Sequence, residues 1–113
     1  MHRSILALAL VTGACAAHAA SFDCLRARTL DEQTVCRTRA LNDRDVRMAT
    51  LYGLDIRLVP MGTRDAIKDA QAAWLAKRRA CKADTFCLAR AYDRRIAELQ
   101  AVIDTRVCPR GPF

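Results

Sequence analysis

From about residue 30 onward, apolar residues recur at steps of three and four, and no stretch alternates with a period of two. Residues so spaced share one face at 3.6 residues per turn, so the pattern predicts helices rather than strands. Leu41, Asp45, Met48, Tyr52, Asp55 and Val59 fall on one stripe, which Pro60 and Gly62 close. A second stripe runs Ile67, Gln71, Trp74, Arg78 and Cys81, widened by Leu75, with Thr63 as the expected cap. Lys82 to Asp84 form a short link, and Asp84 or Thr85 caps a third stripe of Leu88, Tyr92, Arg95, Leu99 and Val102, supported by Ile96 and Ile103. Ahead of these, Thr29 and Glu32 have the spacing of a capping box, so a short helix starts near Leu30 and pauses near Arg37 to Arg39. Pro109 and Gly111 prevent the tail from continuing as helix. The expected fold is all-α: a small disulfide-stapled helical bundle with three main helices and a short N-terminal helix.

The first residues have a different character. Arg3 is followed by "ILALALV", too short to span a bilayer, and then by Ala17, His18 and Ala19, which put small residues at the usual cleavage positions. The reading is a signal peptide over 1–19, with a cut after Ala20 as the near alternative, then a helical domain over 20–107 and a flexible tail over 108–113. It places the protein in the periplasm or outside the cell. Cys15 follows Thr12, Gly13 and Ala14, small residues that fit a lipid-acceptor motif. Thr12 stands where an aliphatic residue is usual, so a soluble exported form is preferred to a lipid anchor. No later stretch approaches bilayer length, and no transmembrane segment is expected.

Removing that leader changes the chemistry open to the chain. Only Arg3 among the charges goes with it, leaving 18 basic against 12 acidic residues, a net +6. Both histidines, His2 and His18, go too, and Ser21 becomes the only serine. Neither Ser-His-Asp nor Cys-His machinery can then form, and no histidine can bind a metal. The expectation is a protein that is not an enzyme, with no catalytic residues, cofactor or metal.

Five cysteines survive processing: Cys24, Cys36, Cys81, Cys87 and Cys108. An oxidising compartment and a small core both point to disulfides. The preferred pairing is Cys24 with Cys36, tying the leading segment to the first helix, and Cys81 with Cys87. The second clamps a helix-to-helix corner that has no glycine or proline to fix it. The spacings lack the short knuckles of structural zinc sites and the C-x-x-C of redox motifs. Cys108 is left as a free thiol, an intermolecular bridge, or an alternative partner of Cys24.

Asp45, Asp55, Arg78 and Arg95 occupy stripe positions where apolar residues are expected. Arginine suits bidentate pairing with carboxylates, so one reading is a structural ion pair between helices, Asp45 or Asp55 with Arg78 or Arg95. The other has the arginines snorkelling outward at the stripe's edge. Tyr52, Trp74 and Tyr92 are expected as core aromatics. Lys77, Arg78, Arg79 and Lys82, with Arg94, make a basic end to the last hairpin, read as a solvated face.

Taken in order, "FDC", Thr29-x-x-Glu32-x-x-Val35-Cys36, Leu41 with Asp45, Tyr52, Gln71-x-x-Trp74-Leu75-x-x-Arg78-x-x-Cys81, and the run from Cys87 to Leu99 resemble the LprI-like lysozyme inhibitor family of bacterial exported proteins. The resemblance covers residues 22–99. It implies an all-α, disulfide-containing envelope domain, some of whose relatives bind and inhibit lysozyme, which makes lysozyme the expected protein partner. Common lysozymes are strongly basic, so a chain at +6 gains no steering toward them and needs a local acidic group, for which Asp65 with Asp69 is the candidate. The alternative is a basic envelope module that binds anionic cell-surface polymers without inhibiting lysozyme. A two-carboxylate glycosidase finds little room for a cleft in so small a core. Export disfavours nucleic acid as a partner.

Overall fold

The structure, a computed structural model, describes residues 20–109. The expected signal peptide over 1–19, with Cys15, His2 and His18, and the tail beyond 109 lie outside the described residues. A single 3-10 turn, Cys24–Arg26, is followed by α1 (Leu30–Arg37), α2 (Arg39–Leu58), α3 (Met61–Ala80) and α4 (Thr85–Val102). One π-helical turn, Ile103–Val107, extends the last helix, and the Cys108 N–H closes it on the Ile103 carbonyl at 2.8 Å. The fold is all-α among the described residues, as the periodicity predicts.

Local chemistry sets the helix ends. Glu32 reaches back to the N–H groups of Arg28 (3.1 Å) and Thr29 (3.5 Å), the glutamate half of the capping box. Asp84, rather than Thr85, caps α4, its carboxylate accepting from the N–H groups of Phe86 and Cys87, both at 3.0 Å. The expected Thr63 cap is a correction. α3 begins three residues earlier, with Pro60 as its N-cap at φ −61° and Thr63 already inside the first turn. A proline suits this place because first-turn N–H groups have no helical partner to lose, and its carbonyl takes the Arg64 N–H at 2.9 Å. Gly62 therefore lies within α3 and does not close α2.

The core runs from Val35 through Leu41, Met48, Ile67 and Trp74 to Leu88, Tyr92, Ile96 and Leu99. α2 and α4 pack along each other most extensively, and α1 bridges α2 and α3. Cys24–Cys36 fastens the leading 3-10 turn to α1, with 5.8 Å between Cα atoms, and Cys81–Cys87 spans the α3–α4 corner at 5.5 Å. Both pairings agree with the sequence reading. Cys108 is free and half-buried. At the corner Lys82 has φ 52°, the left-handed conformation that usually takes glycine. No described helix is long and apolar enough to cross a membrane.

Candidate functional site: a buried arginine cluster and a basic groove

The polar stripe positions converge inside the bundle. Arg78, on α3 and 6% exposed, donates from Nε to Asp31 Oδ2 at 2.9 Å and from Nη1 to the Tyr92 hydroxyl at 3.4 Å. Tyr92 in turn donates to Asp45 Oδ1 at 2.8 Å, and Asp45 Oδ2 accepts the Ser21 backbone N–H at 2.6 Å. Arg78 Nη1 stands 3.8 Å from Asp45 and its Nη2 4.0 Å from Glu32. Phe22 and Trp74 lie against the guanidinium at 5.3 and 5.7 Å. A single arginine therefore meets carboxylates from α1 and α2 and the hydroxyl of α4.

The stripes predict an ion pair of Asp45 or Asp55 with Arg78 or Arg95. The structure puts Asp45 beside Arg78 with the Tyr92 hydroxyl linking them, while the closest carboxylate to Arg78 is Asp31, which that reading did not single out. Arg95 lies elsewhere in the core. Its Nε donates to Gln71 Oε1 at 2.9 Å, Nη2 to the Ile67 carbonyl at 3.3 Å and Nη1 to Glu98 at 3.0 Å. No hydrogen bond or ion pair joins Arg95 to Asp45 or Asp55. The snorkelling alternative fails for Arg78 and Arg95, both of which are buried. Trp74 and Tyr92 are buried edge to face, centroids 5.0 Å apart, and Tyr52 is half-buried at the core's margin. The basic run is also corrected at Arg78, which faces inward while Lys77, Arg79 and Lys82 stay exposed.

Electrostatics follow from this packing. Burial pushes the Asp31 carboxyl up, but the Thr29 hydroxyl and the Arg78 guanidinium beside it prevail and hold it below the ordinary carboxylate range. Burial and then the Asp45 charge keep the Tyr92 hydroxyl protonated far above its usual value, so it serves as a donor. Asp55 is fully buried, neither oxygen has a hydrogen-bond partner among the described residues, and burial raises its pKa from 3.8 to about 6, with Arg95's charge opposing. Asp31, Asp45, Arg78 and Tyr92 are each buried, so their contacts tie α1, α2, α3 and α4 together inside the bundle.

Accessible surface chemistry lies on the other side of Trp74. α3 and α4 diverge enough to leave a groove of about 580 Å³, with Ala70, Ala73, Trp74 and Ala91 in its lining. Cys81–Cys87 and Phe86 close one end, and Lys77, Arg90 and Arg94 stand around it. Asp65 and Asp69 are exposed on α3 one turn apart and do not line the groove.

No family model matches the chain, and no solved structure does. Curated proteins called Lipoprotein LprI, from Mycobacterium bovis and Mycobacterium tuberculosis, are each 32% identical to it over 108 aligned positions. The alignment covers 84% of this chain and 53% of those proteins, so the chain spans about half the length of the curated relatives it matches.

Proposed function

Since the chain is LprI-like, we propose that it is an exported envelope protein, not an enzyme, that binds and inhibits lysozyme, the activity implied by its resemblance to that family. The observation carrying this reading is the likeness to Lipoprotein LprI along 84% of the chain. Two disulfides in so small a domain support export, because such bridges persist in oxidising compartments. The exposed acidic pair Asp65 and Asp69 on α3 is the element that meets a basic lysozyme. The test adds the oxidised protein to lysozyme and bacterial cell walls. Lysis slows in proportion to inhibitor, and lysis at full rate under large molar excess rejects the reading.

A second reading, binding to anionic cell-surface polymers, is favoured by one feature of the surface. Arg37 and Arg39 are exposed where α1 gives way to α2, Arg47 is exposed about two turns further along α2, and Arg79 is exposed on α3. Retention on a sulfated polysaccharide that disappears at modest salt supports it, and no retention at low salt removes it.

A further inference from the structure

We propose that the α3–α4 groove is a binding site for one single-chain lipid with a phosphate headgroup. This inference rests on neither reading above. The groove's volume of about 580 Å³ falls in the range of small-molecule sites, roughly 300–1,000 Å³. Alanines of both helices, Ala70, Ala73 and Ala91, are among its lining residues, small apolar side chains that leave room between α3 and α4. At the corner end Phe86 is 70% exposed, with the Arg90 guanidinium 5.7 Å over its ring. An aromatic ring left in water beside an apolar trough is surface that a ligand can cover.

The charges around the trough are one-sided. Lys77, Arg90 and Arg94 line it, and the acid among the lining residues, Glu98, is already held by Arg95 at 3.0 Å. Glu98 sits toward the end remote from the disulfide, while Lys77 and Arg90 sit near the disulfide. The anionic head therefore belongs at the corner and the chain runs toward Ala70.

What the lining lacks identifies the rest of the ligand. None of its side chains is an amide or a hydroxyl, the Trp74 Nε1–H is committed to the Ala91 carbonyl at 2.9 Å, and the helix backbones are bonded internally. A neutral sugar or an extended peptide would take from Lys77, Arg90 and Arg94 only hydrogen bonds that water already gives them, whereas a phosphate pairs its charge with theirs. A helix satisfies its own backbone, but at about 10 Å across two turns fill about 850 Å³, more than the groove offers. An acyl chain has no polar group to satisfy, and its phosphate head meets cations.

Trp74, the chain's single tryptophan, lines the groove and reports on it. The oxidised protein is titrated with a lysophosphatidic acid below its micelle concentration, following Trp74 fluorescence and heat. The controls are the monoacylglycerol of the same chain and glycerol phosphate. Expected is saturation at one lipid per protein, at least tenfold tighter than the monoacylglycerol and not competed by glycerol phosphate. Ala73→Phe, which fills the trough at an exposed position, weakens binding at least tenfold with its melting temperature unchanged. The pair Lys77→Gln and Arg90→Gln removes most of the preference for phosphate over the neutral lipid. Equal affinity for the neutral lipid, many lipids per protein, or full affinity in Ala73→Phe overturns the proposal. Retention of Ala73→Phe on a sulfated polysaccharide and its effect on lysozyme report on the other two readings separately.

Discussion

Asp55 carries a buried carboxyl with no hydrogen-bond partner among the described residues, and this gives stability a distinctive pH dependence. In the unfolded chain it ionises near 4; in the folded protein it holds its proton to about 6. The folded state therefore binds more protons between those values, and stability falls as pH rises from about 4 through 6, by on the order of 2–3 kcal/mol. Asp31 has the opposite sign: its lowered value contributes stability that is present above about 4 and lost as pH falls further. Urea unfolding of the protein and of Asp55→Asn at pH 4.5 and 7 separates the two, because only the first loses stability across that interval. Equal losses in both would assign the slope to another group. Lys82 makes a second test at this scale. A side chain in the left-handed region costs about 1 kcal/mol, so Lys82→Gly raises stability by about 0.5–1 kcal/mol and the melting temperature by several degrees. Arg78→Lys goes the other way. Lysine cannot hold Asp31 and Tyr92 together from one planar head, and thermal melts should show a loss of about 2 kcal/mol or more.

At the scale of helices, legibility depended on what a stripe can encode. Stripes at three- and four-residue steps marked α2, α3 and α4 even where Asp45, Gln71, Arg78 and Arg95 interrupt the apolar series, since these side chains do face inward. The same stripes could not say which helix faces which. Asp31 escaped notice because it sits on the short α1, where only two turns display a face. Its signal was its spacing with Thr34 and Val35, both buried. Gln71 and Arg95, polar members of facing stripes, are bonded to each other, a pairing readable only once α3 and α4 are known to be antiparallel neighbours. The α3 start was misplaced because Pro60 reads as a helix stop and serves equally as a helix start. Disulfides fix what the stripes leave open. Replacing Cys81 and Cys87 with serine should cost about 2 kcal/mol and speed amide exchange at the corner. Removing Cys24–Cys36 should cost about 3 kcal/mol and release α1, and Asp31 with it, from Arg78. Calorimetry and exchange mapping check both; uniform loosening from either pair would show that the bridges act on no particular helix.

For the whole molecule the deciding quantity is charge. Residues 20–113 carry a net charge of +6, and the two proposed partners lie on opposite sides of zero. Toward a basic lysozyme, the long-range field repels while a local contact through Asp65 and Asp69 attracts. Added salt shortens the reach of the field to about 8 Å at physiological strength but screens a close contact less. Inhibition of lysozyme should therefore hold or strengthen as salt rises from about 10 to 150 mM, chiefly through a faster association rate. Toward an anionic polymer the same change lowers the entropy gained when bound counterions are released, so retention falls steeply over that interval. Lysis and retention measured on one sample across the series thus give slopes of opposite sign for the two partners. Inhibition that collapses with salt in parallel with polymer retention would mean the protein acts on the negatively charged wall substrate and not on the enzyme. Reversing the acidic pair, Asp65→Lys with Asp69→Lys, should then leave lysis unaffected, whereas direct inhibition loses tenfold or more.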